Sequence, residues 1–243
     1  MSRTTRFPAY SRRQVVVGGT TLVLATAAAR RVAAASSPVV VELFTSQGCN
    51  SCPPADAYLA ELAHRPGILA LAYHIDYWDQ LGWRDPFSSA AATARQRAYA
   101  QALGLHTIYT PQMVINGRID AVGSDRPQVA AAIAAAAASP AVPVALEPGQ
   151  DALTVRIGAG AGRGRIWLME YDLMHETRVR AGENAGRTLV NVNIVRSIED
   201  IGPWAGAAAS FTRPRPRAGT GSAVLLQSEG GAILGAAEIS AAG

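Results

Sequence analysis

The chain has 243 residues and only two cysteines, Cys49 and Cys52, both inside "FTSQGCNSCPPAD". A thiol attacks a disulfide as the thiolate, and a free cysteine, with a pKa of about 8.5, is mostly protonated at neutral pH. A helix start changes that balance, because unpaired N–H donors and the positive end of the macrodipole favour the anion. Two intervening residues let the later sulfur reach the earlier one and resolve a mixed disulfide. The spacing therefore predicts Cys49 as the nucleophile and more exposed thiol, with Cys52 as the resolving, more buried one. Asn50 and Ser51 add no positive charge, so the expected Cys49 pKa falls in the range of about 5–7.5. Two other readings stay open: half of a metal site, or inert buried thiols packed as small hydrophobes.

The elements around the pair favour chemistry. Val39 to Phe44 is a β-branched run fit for a buried strand, and Thr45 to Gly48 is turn chemistry. From about Ser51 to His64 the apolar residues Tyr58, Leu59, Leu62 and Ala63 share one helix face, and Pro53 and Pro54 are tolerated in a first turn. The cysteines thus sit where a strand becomes a helix. Ile68 to Ile75 predicts a second strand, and Asp85 before Pro86 a helix start. A helix follows over Ser88 to Leu103. "YTPQMVINGRIDAVG" predicts a hairpin around Asn116-Gly117, and Arg126 to Ala138 a third helix. Strand, helix, strand, helix, hairpin, helix is the minimal thioredoxin arrangement, with the first two strands parallel and the hairpin antiparallel.

After "SPAVPV" the texture changes to strand-like segments near 142–147, 152–158, 164–173, 187–196, 222–228 and 232–239, with "GAGAGRG" and "TRPRPRAGTGS" as loops. The reading is an α/β thioredoxin-like domain over 36–140, a mixed sheet flanked by helices, followed by a small all-β sandwich over 141–243.

The remaining candidates carry less. A zinc site wants four ligands, and His64, His74, His106 and His175 are scattered, with no second C-x-x-C. Copper(I) on the two thiolates, with a remote His74, is the metal alternative; His74 otherwise reads as a satisfied structural histidine. Tyr77, Trp78 and Trp83 either line a groove beside Cys49 or pack an inserted loop. Arg95, Arg97 and Tyr99 read as a solvated helix face with one packed ring. Thr45 stands one residue too far from Cys49 for a peroxidase motif, and the alternating glycines of "GAGAGRG" do not make a nucleotide cradle. Glu183 to Arg187 reads as a tight turn closing on the neighbouring domain.

The charge is +4 and the sequence pI about 9.4, with arginine as the sole basic residue besides histidine. Alone, that would point to an anionic partner such as nucleic acid. Residues 1–35, however, have a basic start with Ser11-Arg12-Arg13-Gln14-Val15-Val16, an apolar stretch from Val15 to about Ala29 and small residues at Ala33 to Ala35: a cleavable, twin-arginine-like export signal. Its removal takes six of the 22 basic residues and none of the 18 acidic ones, leaving a formal charge of −2. The expected mature protein is periplasmic or secreted, has no stable membrane span and binds no nucleic acid.

The blocks "VVELFTSQGCNSCPPADAYLAELA", "HIDYWDQLGWRDPF", "RQRAY", "YTPQMVINGR" and "GENAGRTLVNVNIVR" resemble a family of exported bacterial thioredoxin-like proteins, domain-of-unknown-function family 1223. The resemblance implies a thioredoxin fold with an appended β domain. In thioredoxin-like proteins the Thr-Pro before the third strand holds a cis peptide and pairs with extended substrate, roles that would fall to Thr110 and Pro111. The family supplies no substrate. The function expected is an exported thiol:disulfide oxidoreductase without bound cofactor, acting on protein or small-molecule thiols and disulfides with an unidentified redox partner. The alternatives are a copper(I) metallochaperone and a binding protein with a vestigial redox site.

Overall fold

In the computed structural model, Met1 and residues 37–137 and 141–239 are described. The expected export segment lies outside them, Met1 apart. The frame of the cysteine segment is a pair of parallel strands, β1 (Val39–Thr45) and β2 (Ile68–His74), in register from Val39↔Ile68 to Thr45↔His74. β1 is buried along its whole length because its two faces feed two different cores. Val39, Val41 and Leu43 meet Tyr58, Leu59 and Leu62 of helix α1 (Pro53–Ala63) and Val129 of α3 (Arg126–Ala136). Val40 and Phe44 meet Ala92 and Tyr99 of α2 (Ala90–Ala102) on the other face. Alternation along a strand thus produces a helix-covered sheet.

β3 (Gln112–Ile115) runs antiparallel to β1 and turns into β4 (Ile119–Val122). The turn is at Asn116 and Gly117, with φ of 46° and 63°. Positive φ at both positions matches the twist of a two-residue hairpin. Gly117 also needs its missing side chain, since a Cβ there would lie 2.0 Å from the Gly231 carbonyl oxygen. α2 starts later than expected: Ser89, not Asp85, is its N-cap, the hydroxyl accepting from the Ala92 amide at 3.1 Å. Asp85 is drawn inward instead, to accept from the Gln47 and Phe87 amides.

The second half contributes β5 (Val144–Pro148), β6 (Ala152–Ile157), β7 (Gly164–Arg178), β8 (Thr188–Trp204), β9 (Ala209–Pro214), β10 (Thr220–Ser228) and β11 (Ile233–Ile239). Four of these strands extend the first sheet, and three pair among themselves. One eight-stranded mixed sheet runs β11-β10-β7-β8-β2-β1-β3-β4, and β5-β6-β9 form a second, three-stranded sheet. A sandwich does form, with Val155 and Ile157 facing Ile166, Leu168, Val224 and Leu226, but one of its two layers is the continuation of the first sheet. On the opposite face of the same strands, Met169, Tyr171 and Leu225 enter the core that holds Phe44 and Tyr99. The boundary expected at 140/141 is therefore not a break between packed bodies; the described residues from Ser37 onward fall in a single compact unit. The junction is narrow: β2 meets β8 at Ala72↔Ile194, and Asn193, at φ 48°, turns its amide to donate to the Ala70 carbonyl at 2.9 Å.

Candidate functional site

β1 delivers the chain to the cysteines and α1 receives it. Cys49 and Cys52 are joined in a disulfide with Cα atoms 5.5 Å apart, and Cys52 is the N-cap of α1. The first turn differs from the expectation in its donors. Positions one and two are Pro53 and Pro54, which have no N–H, and the next two amides, of Ala55 and Asp56, both turn back to the Cys52 carbonyl at 2.8 and 3.1 Å. The helix start therefore offers the sulfurs fewer free donors than a proline-free turn would. Two groups from the segment between the cysteines matter more: the Ser51 hydroxyl lies 3.3 Å from Cys49 Sγ, and the Asn50 amide donates to Glu183 Oε2 at 3.0 Å.

Cys49 is not the more exposed cysteine; both residues are 0% exposed. The cover is the connection between β7 and β8, a strap over 179–187. Asn184, itself fully buried, donates from Nδ2 to the Gln47 and Cys49 carbonyls, both at 2.9 Å. Its Oδ1 accepts from Arg187 at 2.7 Å. Beside it, Gln47 donates to Asn191 Oδ1 at 3.0 Å and accepts from the Trp83 indole at 3.3 Å. The turn expected at Glu183 to Arg187 thus closes on the cysteine loop itself.

Thr110 and Pro111 share that end of the sheet. Their peptide bond is cis. Because β3 pairs antiparallel to β1 with Gln112 opposite Phe44, Pro111 stands at the strand end from which the cysteine loop departs. The Trp78 indole donates to Thr110 Oγ1 at 2.8 Å, and Trp78 also packs on Gly48, where a Cβ would lie 3.5 Å from its own. Trp78 therefore links the two loops, and Tyr77 packs with it against the core.

Under the loop lies a buried acid-base group that the sequence did not announce. Asp56, one helical turn after Cys52, accepts from Thr45 Oγ1 at 2.8 Å, and His74 Nδ1 meets Asp85 Oδ2 at 2.7 Å. Burial pushes the Asp56 pKa up to about 6, against the charge of His74 and the Thr45 hydrogen bond, which lower it. Burial disfavours the His74 cation, but the Asp85 carboxylate, as charge and hydrogen-bond partner, outweighs it and raises the His74 pKa. Burial likewise raises Asp85, and His74 outweighs it to hold that carboxyl below its usual range. His74 Nε2 is buried with no protein partner.

Tyr99 is the packed ring of the helix face, but Arg95 is buried with it instead of solvated. Arg95 donates to Glu42 Oε1 at 2.5 Å and to Tyr99 Oη at 3.0 Å, and the Tyr99 hydroxyl donates to the same carboxylate. Only Arg97 of the three is exposed. A groove of about 590 Å³ opens beside this pair, walled by Ala94, Ala98, Trp167 and Ile198, and no residue of the cysteine loop lines it. Among the described residues, no three His, Cys, Asp or Glu side chains gather to hold a metal ion, and no helix is long and apolar enough to cross a membrane.

A crystal structure of protein AGR_C_4864 from Agrobacterium tumefaciens matches with 32% identity and a TM-score of 0.75, over 86% of this chain and 96% of that one. HBP35 of Porphyromonas gingivalis matches with 14% identity and a TM-score of 0.56, over 84% of this chain and 75% of that one, a likeness of fold alone. No curated protein matches the chain. The family model described as "Protein of unknown function (DUF1223)" matches residues 40–227, most of the sequence, and the chain belongs to that family.

Proposed function

We propose that the chain is an exported thiol:disulfide oxidoreductase of thioredoxin-like type, with Cys49 as the exchanging sulfur and Cys52 as its resolver. The observation that carries this reading is the Cys49–Cys52 disulfide at the mouth of α1, at the same sheet end as the Thr110–Pro111 peptide. A disulfide closed over two residues restricts the unfolded chain very little, so stabilisation is a weak reason for its presence. In the oxidising direction a substrate thiolate attacks Cys49 Sγ, the Cys49–Cys52 bond breaks, and Cys52 leaves as a thiolate that takes up a proton. A second substrate thiolate then attacks the substrate sulfur of the mixed disulfide and releases Cys49. The substrate dithiol loses two electrons and two protons, and the protein gains both as its dithiol. Run backwards, the same steps reduce a substrate disulfide. Thr110 and Pro111 present backbone to an extended substrate in this reading.

A Cys52→Ser protein incubated with oxidised glutathione tests the assignment. Mass spectrometry is expected to find one glutathione on Cys49, retained because the resolver is gone, while Cys49→Ser acquires none. Glutathione on neither variant, with both folded, contradicts the proposal.

A further inference from the structure

The segment between the cysteines is neutral, yet a charge reaches it from 133 residues away: the Glu183 carboxylate accepts from the Asn50 amide at 3.0 Å. Asn50 is the residue after the nucleophile, and its amide is one of the few donors left at this turn, since Pro53 and Pro54 carry none and Ala55 and Asp56 are committed to Cys52. The contact is anchored: Asn184, the next residue, is buried and fixed to the Gln47 and Cys49 carbonyls. The donor that would turn to a Cys49 thiolate is thus already given to an anion, and that anion is held against the same turn.

We propose that Glu183 is a positioning residue that sets the redox balance of the pair, holding Cys49 less acidic and the disulfide more favoured than the cysteine loop alone would. This rests on the oxidoreductase reading. The carboxylate is hydrogen-bonded to the residue that follows Cys49, and a like charge held that close disfavours a thiolate, by about one pKa unit. The carboxylate destabilises the thiolate of the reduced form and does not act on the neutral disulfide, so it biases the couple toward oxidation and lowers its reduction potential. The other charged groups around the segment are Arg187, whose guanidinium holds Asn184, and the buried Asp56, His74 and Asp85 beneath the loop. None of them contacts the Asn50 amide.

Glu183→Gln removes the charge and keeps an oxygen able to accept from Asn50, so docking and charge are separated. The thiolate absorbance of the reduced full chain near 240 nm, titrated with pH, reads Cys49 whether or not a reagent can reach it. The variant is expected to titrate about one unit lower than the parent. In glutathione buffers its oxidation equilibrium is expected to shift about tenfold toward the dithiol, or about 30 mV. Both differences shrink in 1 M salt, as an exposed charge requires and a packing role does not. Equal titration curves for parent and Gln variant overturn the proposal, as does a shift that Glu183→Ala shows and Gln does not, since that would trace to lost docking. Failure of the parent to exchange with glutathione at all would sink the oxidoreductase reading, while the titration would still report the charge effect.

Discussion

At the scale of single residues, the Ser51 hydroxyl lies 3.3 Å from Cys49 Sγ, close enough to donate to a thiolate there. Ser51→Ala is expected to raise the Cys49 pKa of the reduced protein by several tenths of a unit up to one, because a charge-assisted hydrogen bond is lost; an unchanged titration would exclude the contact from the thiolate form. Asp56, in the first turn of α1, is buried under Thr45 with a pKa raised to about 6. The sign follows from linkage. A folded pKa above the unfolded value contributes stability that is complete below about pH 4 and lost as pH rises through about 6. Asp56→Asn is therefore expected to stabilise the fold by about 3 kcal/mol at pH 8 and by almost nothing at pH 4. Urea midpoints at the two pH values check it, and an equal gain at both would mean that ionisation plays no part. Arg95, expected on a solvated helix face, is instead buried against Glu42 on β1 and Tyr99 on its own helix. Removing one partner of a buried pair leaves an uncompensated charge, so Arg95→Ala is expected to cost about 3–5 kcal/mol. Arg126→Ala, on the exposed pair with Glu61, is expected to cost under about 1 kcal/mol in the same denaturation experiment.

Elements declare themselves where local chemistry is strong. The β1–α1–β2 unit and the Asn116-Gly117 hairpin follow from β-branched runs, a proline-started helix and a dipeptide that accepts positive φ. β9 was hidden because its second half, Thr212 to Pro214, falls in "TRPRP", which reads as loop; Pro214 is tolerated at the end of an edge strand, where no ladder donor is needed. The ends of β7 and the strap were hidden for another reason. "MHETRVRAGENAGR" is polar and glycine-rich, with no alternation to mark a strand, and its tip lands on the cysteine loop. Asn184 fixes that landing with two hydrogen bonds to backbone carbonyls. Asn184→Ala is expected to speed reduction of the disulfide by a phosphine reductant about tenfold, the equivalent of about 1.4 kcal/mol less holding the cover closed. An unchanged rate would show that the cover does not limit access.

The molecule as a whole is the scale least legible in the sequence. A change of texture near residue 141 reads as a domain boundary, but strands added to the far edge of an existing sheet have the same composition as strands of a separate sandwich. What decides is the second face of β7 and β10, where Met169, Tyr171 and Leu225 complete the core around Phe44. Residues 37–140 expressed alone are accordingly expected to lack a cooperative unfolding transition, because that core loses one wall; a sharp calorimetric transition in the fragment would restore the two-domain reading. The joining also gives the cysteine loop its cover, since the strap that closes it belongs to strands from the second half. The most direct test of the proposed chemistry is the reduction potential of the Cys49–Cys52 pair in the full chain, read from the fraction of thiol across redox buffers of stepped potential. A single two-electron transition between about −120 and −270 mV, the span of exchanging pairs, is the predicted result. A pair still oxidised below about −300 mV behaves as a structural bond and contradicts it.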